Sequence, residues 1–460
     1  MNLQDYLMTL KDKRIAVLGI GVSNTPLIRL LRGHGVAVTA CDKKERTALG
    51  KTAEELEAMG ADLKLGSDYL KDIDADVIFR TPGMRPDLPE LLAAKERGSR
   101  ITSEMQVFFE VCPCPIIAVT GSDGKSTTTT VITEFLRAAG RTVHLGGNIG
   151  HPLLAEAGEM HADDVAVLEL SSFQLLDMTH SPHIAVLTNL APNHLDVHRS
   201  MEEYIAAKEN IFRYQSADDI AVFNQDNAIT LGLSEKANGR VRLFSRQQEV
   251  ADGAFVRDGA IWLRRGEEER EIVKTDEIRI PGQHNVENYL AAIAAVDGLV
   301  SDEVIRTVAR EFAGVEHRIE LVRTRRGVRW YNDSIATSPT RTIAGLHSFS
   351  QKLILIAGGY DKHIPFDVLG PELVAHVKLL ILCGATANQI RACVTGCGDY
   401  HGEPEMIECA TLDEAVKLAA ERAQEGDVVT LSPACAAFDQ FPNFMVRGRY
   451  FKDLVNALEE

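Results

Sequence analysis

The chain has 460 residues with 45% hydrophobic and 25% charged side chains, enough for about three domains of ordinary globular composition. Its formal net charge of −17 argues against nucleic acid or an anionic membrane as a partner, so any anionic ligand must be held by local positive groups. The eight cysteines form no C-x-x-C pair, and no apolar run approaches the length of a membrane span; reduced thiols, no visible signal peptide and a cytoplasmic location are expected.

In chain order, "RIAVLGIG" is an apolar run ending in glycines, followed by a helix pattern closed at Gly35 and a second strand, "VAVTACD". "ADVIFRTPG" is a later strand ending in a Pro-Gly turn. Strand–helix–strand order predicts a parallel sheet. The "GIGVSN" turn, with Asp42 about twenty residues on, is an incomplete dinucleotide fingerprint, because Asn24 stands where a third glycine belongs. A phosphate or nucleotide-sugar role fits it better than NAD.

"IIAVTG" is the next strand, and "KSTTTTVITEFLRAAG" a helix ending at Gly140. The loop between them has Gly124-Lys125-Ser126, but the common phosphate loop G-x-x-x-x-G-K-[ST] would need glycine at 119, where Val119 stands. Gly121 is the nearest glycine. A strand–loop–helix setting still turns backbone N–H groups and a helix N-terminus toward phosphate, with Lys125 able to reach terminal phosphates and Ser126 able to ligate magnesium.

"VAVLELSS" and "HIAVLTNL" are two further buried-type strands. Glu169 closes the first, at the rim where open α/β sheets bind ligands. His194, Asp196 and His198 follow the second and should reach the same rim, or be plain loop residues. Asn148, in "GGNIG", is most simply a left-handed turn residue. "RSMEEYIAAKENIF" is an amphipathic helix with Ser200 and Glu203 at capping-box spacing, and its Lys208 taken alone is a solvated charge. "FVRDGAIWL" has an Asp-Gly hairpin signal, and "RRGEEERE" an exposed turn. Asn285 and Asn288 flank the start of another helix, where capping is the plain expectation.

"ELVRTRRGVRWYND" is a hairpin, and "KLILIAGG", "VKLLILCG" and "DVVTLSP" are strands of a second α/β sheet. His317, Arg318, Asp333, Lys362 and the stretch "SPACAAFDQFPNF" lie at its strand ends.

Taken together, "TGSDGKSTTT", "LELSSFQL", "NLAPNHLDVH", "GQHNVEN" and "LSPACAAFDQFPNF" resemble the Mur ligase family over nearly the whole chain, and within it the members that add D-glutamate. The family loop is G-x-x-G-K-[ST], which Gly121, Gly124, Lys125 and Ser126 fit. The resemblance implies an α/β fold of three domains. Residues 1–102 would be a Rossmann-like domain for the UDP part of the substrate. Residues 103–315 would be a central phosphate-loop ATPase-like α/β domain with added β hairpins, for ATP and metal. Residues 316–460 would be a Rossmann-like domain for the amino acid.

It further implies ADP-forming ligation of D-glutamate to UDP-N-acetylmuramoyl-L-alanine by a monomer, with ATP as co-substrate and two Mg2+ ions. Lys125, Lys208 and His194 would be catalytic, Lys208 as a carbamylated lysine. Ser126, Glu169, His194 and Lys208 would hold the metal. Gly121, Ser122, Asp123, Gly124, Lys125, Ser126, Thr127, Asn285, Asn288, Arg318 and Asp333 would contact ATP. Val22, Ser23, Asp42, Asn148, Gln174 and His194 would hold the UDP substrate, and Thr337, Lys362 and Phe444 the D-glutamate. Two departures from the family pattern stand out: Ile335 replaces a frequent lysine, removing a phosphate-side positive charge, and Ala437 replaces a frequent serine, so any contact of that hydroxyl with glutamate must come from backbone or a neighbour.

Overall fold

The computed structural model describes residues 1–191, 198–362 and 364–459. The chain divides into two compact units, one of residues 1–275 and 287–308, the other of 276–286 and 309–460.

The first unit carries two sheets. β1 (Ile15–Leu18), β2 (Val38–Asp42), β3 (Asp62–Leu65), β4 (Val77–Arg80) and β5 (Arg100–Thr102) form a parallel sheet of order β3-β2-β1-β4-β5. β1 is buried at all four residues, as an aliphatic strand covered on both faces must be. Strand order reverses on either side of β1, so the turn after it opens on a crevice at the C-terminal rim.

The second sheet has order β14-β13-β12-β11-β10-β9-β6-β8-β7. β6 (Ile116–Thr120), β7 (Val143–Gly147), β8 (Val165–Glu169), β9 (Ile184–Leu187), β10 (Ile220–Asn224) and β11 (Arg240–Ser245) run parallel. β12 (Gly253–Arg257) also joins β11 in parallel, then turns at Asp258-Gly259 into the antiparallel β13 (Ala260–Arg265) and β14 (Glu268–Lys274). The expected Asp-Gly hairpin is there, with both turn residues at positive φ. The charged run after it is strand on both sides of a short turn, since Arg257 and Arg264 pair Glu249 and Glu269 along the exposed face.

One apolar cluster joins the layers of the two sheets: Leu27, Ile28 and Leu31 from the helix Asn24–Gly33 share it with Leu153, Leu154 and Phe108. Arg80, at the end of β4, is fully buried and pairs with Asp177 from beyond β8.

The second unit holds β15 (Glu320–Arg325), β16 (Val328–Asn332), β17 (Leu353–Ala357), β18 (Val377–Cys383), β19 (Glu405–Cys409) and β20 (Val428–Leu431), in the order β15-β16-β20-β17-β18-β19. Only β15 is antiparallel, as the hairpin signal predicts. Aliphatic residues of β17, all five buried, separate two apolar clusters on opposite faces of this sheet.

Candidate active site

The loop Gly121–Gly124 leaves β6 and enters the helix Lys125–Ala138. Val119 is strand, paired with Glu169 and Val186, so the loop is short and complete without a glycine there. The exit of β9 shapes it. Ser122 N–H donates to the Asn189 carbonyl at 2.8 Å, Asp123 N–H to Asn189 Oδ1 at 2.9 Å, and Thr188 Oγ1 to the Asp123 carbonyl at 2.6 Å. Gly124 is left-handed (φ +76), and a Cβ there would lie 2.3 Å from Asn288 Oδ1. A Cβ on Gly121 would lie 1.9 Å from Thr188 Oγ1. No side chain caps this helix, leaving its first N–H groups toward the loop. Lys125 Nζ folds back to the Gly121 and Ser122 carbonyls at 2.9 and 2.8 Å, above the same loop.

The threonine run after it is β-branched and a poor helix former by propensity. Thr129 and Thr130 compensate by donating to the carbonyls four residues back, at 2.8 Å each. Thr128 Oγ1 donates to Asn288 Oδ1 at 3.2 Å, and Phe135 meets Tyr289 edge-on at 5.8 Å, docking the phosphate-loop helix against Asn288's helix. Asn288 thus lies inside the helix Gln283–Val296 rather than at its cap. Ser126 and Thr127 are buried at the helix start.

Because β7, β8, β6 and β9 are parallel neighbours, Gly147, Glu169, Thr120 and Leu187 end on one rim. Glu169 is buried; its Oε1 accepts from Asn148 Nδ2 at 2.7 Å, while buried Oε2 meets no donor among the described residues. An orphaned carboxylate oxygen beside a phosphate loop fits a cation, and with Ser126 it offers the hard oxygen donors magnesium prefers. Asn148 is not a left-handed turn residue: Gly147 and Gly150 on either side take the positive φ, freeing Asn148 to brace the carboxylate.

Lys208 also departs from the plain expectation. It is 1% exposed, on the inner face of the helix Met201–Arg213, and Nζ donates to Thr120 Oγ1 and the Gly121 carbonyl, both at 2.9 Å. Burial, and next the charge of Lys125, hold its pKa well below the ordinary lysine value. Ser200 caps that helix as expected, but Glu203 turns to Arg199 N–H and Arg85, so the box is half formed. Gln174 closes the complete capping box that sequence spacing missed, with Ser171. His198 is buried, its Nε2 2.8 Å from Ser172 Oγ, stacked on Phe173. His194 and Asp196 lie outside the described residues.

On the first sheet, Asp42 Oδ2 accepts from Ile20 N–H at 2.6 Å and Oδ1 from Lys44 N–H at 2.8 Å, so it braces the turn after β1. Val22 is 83% exposed on that turn, and Ser23 precedes the helix Asn24–Gly33 without capping it. These three sit at the first sheet's own rim.

In the second unit, Asp333 follows β16 and Lys362 follows β17, both flanking β20 at one rim. Asp333 accepts from Ser432 Oγ at 2.7 Å. Burial pushes its carboxyl up to about 7, against the opposing pull of the Ser432 bond and the Arg318 charge. His317, buried, has φ +66. Lys362 Nζ reaches Thr337 Oγ1 at 3.4 Å. Phe444 opens the helix Phe444–Ala457, its carbonyl accepting from Ser334 Oγ. Asn285 donates to the Pro281 carbonyl at 2.5 Å, tying the helix start to the segment that enters it rather than capping it.

Arg447 has no sequence signal. It is 4% exposed and donates to the carbonyls of Ser334, Cys435 and Ala436, binding the loops after β16 and β20 to each other. Burial lowers its pKa to about 10. Ile335, partly buried, and Ala437, fully buried, lie in these same two loops, whose shape is held by backbone groups and Arg447.

A short phosphate loop on a parallel sheet, a carboxylate and a buried lysine on the same rim, and further α/β sheets on either side in the chain define a multi-domain nucleotide-binding α/β protein. The chain belongs to the Mur ligase family. The model of the Mur ligase middle domain matches residues 119–296, and that of the Mur ligase glutamate ligase domain matches residues 317–435. Among curated relatives, the UDP-N-acetylmuramoylalanine–D-glutamate ligase of Acetivibrio thermocellus is 54% identical over 100% of this chain and 99% of its own. Those of Clostridium beijerinckii and Clostridium botulinum (strain Okra) are 50% and 48% identical, over 97% and 99% of this chain and the same shares of theirs. In fold, the crystal structure of UDP-N-acetylmuramate–alanine ligase MurC from Thermotoga maritima matches with a TM-score of 0.58 at 18% identity, over 97% of this chain and 99% of that one.

Proposed function

We propose that this chain joins D-glutamate to UDP-N-acetylmuramoyl-L-alanine at the expense of ATP, giving ADP and phosphate in peptidoglycan precursor synthesis. The observation that carries this reading is full-length identity of about half to relatives bearing that name. The phosphate-loop rim is the geometry that supports it.

A substrate carboxylate oxygen attacks the γ-phosphorus of ATP, breaking its bond to ADP and giving an acyl phosphate. The amine of D-glutamate then attacks the acyl carbon, loses its proton, and phosphate departs. No protein nucleophile is needed, so positioning and charge stabilisation carry the reaction. The backbone N–H groups of Gly121–Ser126 would cradle phosphate, and Lys125 would swing from its loop carbonyls to the terminal phosphate. The contacts expected of Thr127, Asn285, Asn288, Arg318 and Asp333 with ATP belong to the same proposal.

Magnesium, when bound, offsets the charge gathering on the phosphates. Ser126 and Glu169 would hold it, with a second ion at His194 and a carbamylated Lys208. The lowered pKa of Lys208 supports that modification, since only an uncharged amine attacks carbon dioxide. Val22, Ser23, Asp42, Asn148 and Gln174 would position the UDP substrate, and Thr337, Lys362 and Phe444 the D-glutamate. No helix among the described residues is long and apolar enough to cross a membrane. A cytoplasmic monomer of three domains, 1–102, 103–315 and 316–460, completes the proposal.

Product analysis tests it. With UDP-N-acetylmuramoyl-L-alanine and ATP, D-glutamate should be incorporated and L-glutamate and diaminopimelate left unreacted. Preference for either of the latter would assign the chain to a different amino-acid addition.

A further inference from the structure

Away from the phosphate-loop rim, three metal-ligating side chains of the second unit converge. His347 caps the C-terminus of the helix Pro339–Leu346, and His376 ends the helix Leu369–His376, one turn beyond Glu372. His347 Nε2 lies 2.7 Å and His376 Nε2 3.5 Å from the same oxygen, Glu372 Oε2. The ligand atoms of the trio all lie within 4.8 Å of one another. The two rings stand 4.9 Å apart, tilted by 58°.

We propose that His347, Glu372 and His376 form a site for a divalent transition metal, with zinc the fitting ion. An ion bonded at about 2.0–2.1 Å in tetrahedral geometry separates its ligand atoms by roughly 3.3 Å, between the two spacings seen here. Both imidazoles present Nε2 to one carboxylate oxygen. A single cation at their meeting point would be bonded by both rings and the carboxylate at once. Both helices end at this spot, and their last carbonyls place partial negative charge around it. His347 is about half exposed and the other two about one-third, so an ion can enter and water can complete its coordination. Two nitrogens and one oxygen favour zinc over magnesium, whose preference is for oxygen alone. The bound ion would pin the end of Thr337's following helix to its neighbour.

The test is zinc titration of the untagged full-length chain against a chelating indicator in saturating magnesium, beside His347→Asn/His376→Asn and Glu372→Gln. Zinc taken up at the phosphate-loop rim is common to all three proteins and cancels. The wild type should bind one more equivalent than the double variant, and Glu372→Gln should weaken that equivalent by more than about tenfold. The cobalt(II) difference spectrum between wild type and Glu372→Gln should show visible d–d bands and no thiolate charge transfer. Equal zinc uptake by all three proteins, or a difference spectrum carrying thiolate bands, would overturn the site. Equal thermal midpoints in chelator establish that the variants are folded, and Glu372→Gln keeps the shape of the replaced side chain should the double variant not be.

Discussion

Lys208 is the residue at which tertiary packing most changes the chemistry. Along an amphipathic helix with Glu202, Glu203 and Arg213, its spacing resembles that of any solvated lysine, and burial depends on what later covers that face. The family resemblance, not the residue pattern, singles it out. Lys208→Ala should lower turnover by about a hundredfold or more, the scale of losing one well-placed charge-stabilising group. Short carboxylic acids supplied in solution should restore part of it; undiminished turnover in the variant would remove Lys208 from the mechanism.

Glu104 was equally silent in sequence. It is fully buried, its Oε1 accepting from Leu154 N–H at 2.9 Å, and burial pushes its carboxyl from the usual 4.5 up to about 7. Between those values the folded protein keeps a proton that the unfolded chain has lost, so stability falls as pH rises through the window. Glu104→Gln should abolish that part of the pH dependence, gaining at most about 3 kcal/mol over wild type at pH 8 and little at pH 4.5. Denaturant midpoints at the two pH values measure it, and parallel profiles for the two proteins would contradict it.

At the scale of elements, the strand–helix alternation, the Asp-Gly hairpin and the short phosphate loop are legible because each depends on neighbours within a few residues. Asn148 and Asn288 read in sequence as turn and cap residues because their roles depend on partners in other elements, Glu169 and Thr128. The loop makes the sharpest test of local geometry. Gly124→Ala places a Cβ against Asn288 and forces a left-handed alanine, costing about 1–2 kcal/mol. Its thermal midpoint should fall and its KM for ATP rise several-fold, with the requirement for D-glutamate little changed; unchanged ATP dependence would show that the loop does not cradle phosphate.

For the whole molecule, α/β sheets are readable from apolar runs ending in glycine or proline, but neither their number of three nor their division into units. The first two sheets share one apolar cluster and the Arg80–Asp177 pair, long-range contacts that no local pattern announces. The phosphate-loop rim, the first sheet's turn and the third sheet's rim each carry residues proposed to meet a different substrate, so all three substrates should be needed together. Phosphate release, measured with each substrate omitted in turn, tests this most directly. Release should require ATP, UDP-N-acetylmuramoyl-L-alanine and D-glutamate together, and stop when any one is omitted. Steady ATP hydrolysis without the UDP substrate would contradict this three-substrate requirement.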